Sequence, residues 1–384
     1  MEYFNPHSNE WLQNKFEIYK NLRKQDTAYF SEKYQMHILT RYADVAFALA
    51  NPDIFSSAKG NLIVESPFRF GMTLGASDKP RHDFYKNIAK NAYSKDNINS
   101  VVSEFKSYAR ELLVGHSVNL SDVIDHLSAR VSAEIIGLPC NKQEVTDLIV
   151  DIQRRSSTCV STNIDDTSWN TMHELYLKKF IFGNTTITTQ PGIYKEFMNY
   201  WNTSTEDFKN VGFSLFTGPM ISGASSMSGA LQFLTLDLYN NGLIDTLLAD
   251  RSLIPNAVNE ALRYRASTGR FSRTVTTEIT MHGVSLKPGD KVAVCLESAN
   301  RDPEKFNNPD TFDLHRTTNG HLGFGHGVHA CIAMAVSKAV MTAYLEVLLD
   351  FGKYQAVTDP TDYQYVMTAS GNNDMISNLI IEKV

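Results

Sequence analysis

The sequence has only four cysteines, Cys140, Cys159, Cys295 and Cys331, far apart and without a Cys-x-x-Cys pair. That scarcity excludes a disulfide framework and fits thiols kept in a reducing compartment. Positive charge is not in surplus. The net charge of −6 argues against a broad nucleic-acid-binding face, which needs a basic surface. No run approaches the roughly 20 apolar residues of a membrane span. The segment from Met1 to Lys15 is polar and lacks the apolar core of a signal peptide. The expectation is a cytoplasmic protein with no membrane anchor. Low-complexity tracts, internal repeats and an obvious linker are also missing, so residues 1–384 read as one domain.

What is present is ordinary globular material: 42% apolar and 20% charged residues, with 21 phenylalanines and 17 tyrosines to build an apolar pocket. Met36–Thr40 is strand-like, and Tyr42–Leu49 has helical spacing that Asn51-Pro52 stops. Apolar positions recur at three and four residues through 101–113 and 127–136, the second closed by Gly137 and Pro139. Residues 207–240 read as one long buried helix, with distortion expected at Pro219 and Gly223. Residues 280–286 and 291–296 flank Lys287-Pro288-Gly289-Asp290, which suits a type II turn and predicts a hairpin. Residues 334–351 form an amphipathic helix, and 369–373 a turn. The stretch 158–206, rich in Thr, Asn and Asp and poorly periodic, is expected to be a lid over the site.

The chemistry concentrates in His321-Leu-Gly-Phe324-Gly325-His326-Gly327-Val-His329-Ala-Cys331-Ile-Ala333. Gly325 and Gly327 permit a tight loop that passes close to a large flat group. A helix beginning directly after Cys331 would stabilise a thiolate through its free N–H groups. Two other readings stand beside this one. A lone cysteine is more often a small core residue. His321, His326 and His329 with Cys331 could suggest zinc, though their spacing matches none of the usual pairs.

Phe324-Gly-His-Gly-Val-His-Ala-Cys331-Ile-Ala333 resembles the heme-binding loop of the cytochrome P-450 family, F-G-x-G-x-H-x-C-x-G, with alanine last. Glu260-Ala-Leu-Arg263 is similar to the family's E-x-x-R pair, at the expected distance upstream. Residues 298–303 and 309–316 resemble the segments between, and residues 40–45 and 51–56 resemble the bacterial branch, so the likeness runs along nearly the whole chain. It implies a mainly α fold: a large helical domain with a minor β region, and heme b between a long distal helix and the Cys-loop helix. Cys331 would ligate the iron, with Phe324, Gly325 and Gly327 shaping its loop. Glu260, Arg263 and Arg316 would form a buried structural set. Asp78-Lys79-Pro80-Arg81-His82 resembles the family's D-x-P-x-H stretch and places His82 at a heme propionate, with Lys86, Arg273 and His329 as further propionate partners. Where the family continues with two arginines, this chain has Phe84 and Lys86.

The distal helix departs from the family pattern A/G-G-x-D/E-T. Here the residues are Ser222-Gly223-Ala224-Ser225-Ser226. Gly223 is kept, Ser226 replaces the threonine, and Ser225 replaces the carboxylate that in the family helps deliver protons. Waters held by the serines, or substrate hydroxyls, are the favoured substitutes. A peroxide-driven peroxygenase is an alternative, disfavoured because such enzymes place an arginine in this helix. Met220, Ser222, Arg270, Phe271 and Ser370 are expected pocket walls. The implied function is oxidation of a small organic substrate with dioxygen, by hydroxylation or by coupling of phenols or pyrroles, in secondary metabolism. A non-catalytic heme sensor on the same fold is a further alternative. Because the chain carries no flavin or iron–sulfur segment, electrons would come from a ferredoxin or flavodoxin with its reductase, docking near Lys86, Lys90 and Lys338. A monomer is expected.

Overall fold

The computed structural model describes residues 3–65, 67, 70–158, 188–201, 208–317, 320–368 and 371–384. Its helices are α1 (Asn9–Arg23), α2 (Tyr42–Ala50), α3 (Arg81–Ala89), α4 (Lys95–Leu112), α5 (Leu120–Ile136), α6 (Lys142–Thr158), α7 (Ile193–Trp201), α8 (Phe208–Thr217), α9 (Ala224–Asn240), α10 (Ile244–Ala249), α11 (Ile254–Tyr264), α12 (Leu296–Ala299) and α13 (Met334–Phe351). The strands are short: β1 (Tyr29–Ser31), β2 (Met36–Leu39), β3 (Phe55–Ser56), β4 (Ser117–Asn119), β5 (Arg270–Val275), β6 (Ile279–Met281), β7 (Val284–Leu286), β8 (Lys291–Cys295), β9 (Tyr354–Ala356), β10 (Tyr365–Met367), β11 (Asp374–Ile376) and β12 (Ile380–Lys383). The largest sheet has the order β1-β2-β8-β5-β3, with β2 and β8 parallel. The fold is mainly α with a minor β region, as the sequence implied.

Local chemistry sets the helix ends. Ser94 caps α4 by accepting from Asn97 N, and Asn119 caps α5 by accepting from Asp122 N. The periodic segments 101–113 and 127–136 are therefore the later parts of longer helices. Gly137 closes α5 in the left-handed region at φ 68°. The long helix expected over 207–240 is divided into α8, a π-helical turn at Gly218–Gly223, and α9. Pro219 has no N–H to give to a regular ladder, and the wider turn absorbs that loss. Beyond it, α9 is buried from Ala224 to Leu238 except at Ser226, as a helix apolar on most sides must be.

The predicted hairpin is corrected by the structure. Residues 280–286 do not pair with 291–296. Instead β6 folds back onto β7, and β8 lies between β2 and β5. His282 and Gly283 both have positive φ, 43° and 70°, the requirement of a type I′ hairpin turn. The Pro288-Gly289 turn, with Gly289 at φ 99°, delivers the chain into β8 rather than closing a hairpin.

Helices α4, α5, α9, α11 and α13 share the main apolar core. Where α1, β5, α12 and β11 meet, the interior is ionic. Lys15 pairs with Glu297 at 2.7 Å and with Asp374, while Arg270 pairs with Glu297 at 2.6 Å and Asp374 at 2.9 Å. Tyr19 donates to Glu297 Oε1 at 2.9 Å. Arg270 is 0% exposed. Burial pulls its pKa down, but Glu297, Tyr19 and Asp374 together raise it well above the ordinary value. The expectation that Arg270 lines the substrate pocket is therefore corrected: its guanidinium is spent on two buried carboxylates and Gly371 O.

Gly229 lets α9 approach β11, since a Cβ there would lie 2.6 Å from Asp374 O. Gly229→Ala must push backbone aside, and we expect a loss of about 1–3 kcal/mol, read as a lower urea midpoint. An unchanged midpoint would show that β11 yields freely.

Candidate active site

The cysteine loop is held against α11 by backbone contacts that leave no room for side chains. Asn300 donates to Leu262 O, while its Oδ1 accepts from Leu322 N at 2.6 Å. A Cβ on Gly323 would come within 2.5 Å of the same Leu262 O. Gly325 and Gly327 both sit at φ 71°, and a Cβ on Gly327 would meet Leu49 O at 2.5 Å. Cys331 N donates to Phe324 O at 2.9 Å, closing the loop on itself. Helix α13 starts at Met334, three residues after the cysteine rather than directly behind it. The backbone N–H of Ala333 nevertheless favours the ionised sulfur. Burial raises the thiol pKa, and that N–H pulls it back. Protein surrounds Cys331 on most sides, yet its surface is open to solvent, unlike the fully buried Cys295. The core-residue reading of Cys331 fails on that openness. Among the described residues no three His, Cys, Asp or Glu side chains are placed to hold a metal ion, so the zinc reading has no geometry.

Glu260, Arg263 and Arg316 come together in the interior. Arg263 grips Glu260 with two bonds of 2.8 Å, and Arg316 Nε donates to Glu260 Oε1 at 2.9 Å. The remaining donors of Arg263 reach Asn300 O, Pro309 O and Thr311 O, and those of Arg316 reach Asn307 O, Asn308 O and Thr311 O. One carboxylate and two guanidinium groups thus organise the whole irregular segment leading to the cysteine loop.

A second group gathers His82, Lys86, Arg273 and His329. The rings of His82 and His329 meet edge-on at 4.6 Å, and Lys86 Nζ donates to Val328 O at 3.2 Å. Arg273 is buried, and among the described residues no carboxylate forms an ion pair with it; burial drives its pKa down to about 10. His329 is pushed down to about 3 by burial and then by Arg273, His82 and Lys86. Its Nε2 is buried with no hydrogen-bond partner among the described residues. The carboxylate of Asp78 stands 4.0 Å off, already accepting from Ser56 Oγ and Ser57 N. His82 Nδ1 already meets Asp83 Oδ1 at 3.0 Å, but the buried Arg273 guanidinium and the orphaned His329 nitrogen are costly unless an anionic group completes them. The donor set fits the carboxylates of a porphyrin, beside the accessible Cys331 sulfur.

The cytochrome P450 family model matches residues 242–360, the span that carries the Glu260 set and the Cys331 loop. The chain is 27% identical to the cyclomarin C epoxidase CymV of Salinispora arenicola, over 85% of this chain and 86% of that protein. It is 23% identical to the pulcherriminic acid synthase of Bacillus subtilis, over 97% and 96%. The ligand-free structure of cytochrome P450 TbtJ1 superposes with a TM-score of 0.82 at 20% identity, over 97% of this chain and 98% of that one. The chain belongs to the cytochrome P450 family. This P450 is an oxidoreductase and binds heme b, for which Cys331, His82, Lys86, Arg273 and His329 are the fitting partners.

The distal side of the P450 is less regular. Gly218, Ser222 and Gly223 are exposed along the π turn, while Met220 is buried. Ser225 is buried and donates to Ile221 O at 2.5 Å. Ser226 instead shares a 2.9 Å bond with Thr268 and accepts from Asn373 at 2.9 Å. The two serines therefore have separate surroundings and do not act as a hydrogen-bonded pair. Phe271 packs onto the core beneath the sheet, and Ser370 and most of the expected lid lie outside the described residues. Thr268, Asn373 and Asn300 were not singled out from the sequence. Only their pairing across the bridge from Thr268 to Asn373, or to a distant backbone, gives them significance.

Replacing Glu260 by alanine leaves two buried guanidinium groups without their shared anion. We expect a loss of about 3–5 kcal/mol and failure to retain heme, measured by unfolding and absorbance. Full heme retention would contradict the role. His321 accepts from Gly323 N through Nδ1, and burial lowers its pKa to about 4. Its folded pKa lies below the unfolded value, so stability is full above about pH 6.5 and falls toward pH 4 as unfolding takes up the proton, by up to about 1.4 kcal/mol per pH unit. His321→Asn should flatten that part of the stability profile.

Proposed function

We propose that this P450 oxidises a small organic substrate bearing polar groups, by hydroxylation or by oxidative coupling of phenol or pyrrole rings, in a secondary-metabolite pathway. The observation that carries the oxidative reading is the open Cys331 sulfur on a loop beside Arg273, a buried guanidinium with no ion-paired carboxylate among the described residues, and His329, whose Nε2 has no hydrogen-bond partner among them. Heme bound there supplies the oxidising power that protein side chains lack. The residues of the chain do the rest. Glu260 with its arginines fixes the loop, while Arg273, His82, Lys86 and His329 orient the porphyrin carboxylates. The polarity of the substrate is supported by Ser226, Thr268 and Asn373, a hydrogen-bonded cluster joining α9 to two flanking segments, and by exposed Ser222. The likeness to proteins named for cyclomarin C and pulcherriminic acid supports a place in secondary metabolism.

Electrons come, on this reading, from a small acidic ferredoxin or flavodoxin and its reductase. Lys90 is exposed and Lys338 lies 6.0 Å from the Phe324 ring, on the cysteine side. Lys86 is partly committed to Val328 O and contributes less to docking.

The dithionite-reduced carbon monoxide complex should show the red-shifted Soret band of thiolate ligation, and Cys331→His should abolish it. A histidine-type band in the unaltered protein would refute the assignment. Turnover with ferredoxin, reductase and NAD(P)H should exceed turnover with peroxide alone and fall with salt. A faster peroxide-only rate would favour peroxygenase chemistry instead.

A further inference from the structure

The packing face between α5 and α9 is polar where a helix contact deep in a protein is ordinarily apolar. On α5, Ser121, Asp125, Ser128 and Ser132 recur at intervals of four, three and four residues, which puts them on one side of the helix. On α9, Ser225, Ser228 and Gln232 do the same. All but Asp125 are nearly or fully buried. The two rows are bonded to each other: Ser228 Oγ donates to Asp125 Oδ1 at 2.8 Å, and Gln232 Nε2 donates to Ser228 Oγ at 3.3 Å. Small serines alone would be explained by close helix packing. Two observations go beyond that. Ser128 Oγ is 0% exposed and has no hydrogen-bond partner among the described residues, the kind of group an internal water satisfies. And the row contains an acid.

Asp125 sits where this seam meets the surface. Its inner oxygen accepts from Ser228 and from Gln153 of α6 at 3.0 Å, while its outer oxygen is 3.6 Å from Arg154 Nε. Arg154 is exposed and pairs with exposed Asp122 at 2.6 Å. At the other end, Ser225 lies one turn from Ser228 toward the π turn, and Ser132 Oγ is 3.6 Å from where a Cβ on Gly223 would be. Gly223 and Ser222 are exposed on the distal side. The polar seam thus runs from the surface at Arg154 to the residues that occupy the acid–alcohol region of the distal helix.

We propose that this seam is the proton inlet of the enzyme, with Asp125 on α5 serving in place of the carboxylate that Ser225 has replaced on the distal helix. The proposal rests on the P450 reading above. In one relay cycle Asp125 takes a proton from solvent beside Arg154 and passes it to Ser228 Oγ, which gives its own proton inward. Each hydroxyl and each bridging water loses one O–H bond and gains one. One proton therefore enters at Asp125, one leaves from the Ser222 hydroxyl to the reduced oxygen of the co-substrate dioxygen, and the carboxylate is ready for the next. Burial raises the pKa of Asp125, while Ser228 and Arg154 oppose the shift and Asp122 adds to it, which favours a carboxyl able to hold and release a proton.

The test uses heme-loaded full-length protein with a surrogate ferredoxin, its reductase and NADPH, with no added substrate. Asp125→Asn should keep the thiolate-type reduced carbon monoxide band. Oxygen consumption should fall at least fivefold, its solvent deuterium isotope effect should change, and Asp125→Glu should restore both. Independently of turnover, the infrared spectrum of the ferric protein should contain a protonated-carboxyl C=O band that titrates above the ordinary aspartate range and is missing in Asp125→Asn. If that variant does not load heme, Ser228→Ala interrupts the same relay and should give the same isotope signature. A normal carbon monoxide band with unchanged oxygen consumption, isotope effect and infrared spectrum overturns the relay alone. Loss of the thiolate band in the unaltered protein overturns the P450 reading instead.

Discussion

The bidentate clasp of Arg263 on Glu260, with Arg316 on the same carboxylate, is the interaction on which the rest of the site depends. Residues 300–316 contain little regular structure, so their carbonyls have no ladder of their own. The two guanidinium groups supply that ladder by donating to the carbonyl oxygens of Asn300, Asn307, Asn308, Pro309 and Thr311. Asn300 in turn sets the start of the cysteine loop through Leu322 N. Position is thus transmitted from a charge cluster toward Cys331 through the Asn300 carbonyl and then its side-chain amide.

The proximal half of the site was legible in the sequence because its constraints are local. Gly325 and Gly327 need positive φ, and Glu260 and Arg263 meet one helical turn apart. The distal half was legible only as a departure. Ser225 and Ser226 are adjacent in the chain, but the turn of the helix sends one into the core and the other to Thr268 and Asn373. Arg270 shows the opposite failure. Its place beside the expected pocket suggested a substrate contact, whereas its partners come from positions 297 and 374 and no local pattern reveals them. The hairpin error has the same origin: a strong turn at Pro288-Gly289 is local, but the choice of β2 and β5 as neighbours of β8 is not.

The two sides of the heme site are also built from different physics. On the cysteine side, charges and backbone bonds over-determine a single geometry. On the distal side, a π turn interrupts the helix and small hydroxyl residues line it, so geometry is set by weak, reversible bonds. On the proposed function, rigid placement of Cys331 with a softer opposing wall suits a reaction in which the iron-binding side must hold still while substrate moves.

The ionic centre formed by Lys15, Arg270, Glu297 and Asp374 has a consequence for descent. Two positive and two negative charges cancel there, away from water. Loss of any single member strands an uncompensated charge, while joint replacement by apolar residues can be neutral. The four positions are spread from residue 15 to residue 374, so no short segmental exchange carries all of them at once. Single-step drift is blocked at each, and the quartet is expected to be inherited or lost as a unit. Among kin of this enzyme it would mark a lineage more reliably than residues that touch the substrate.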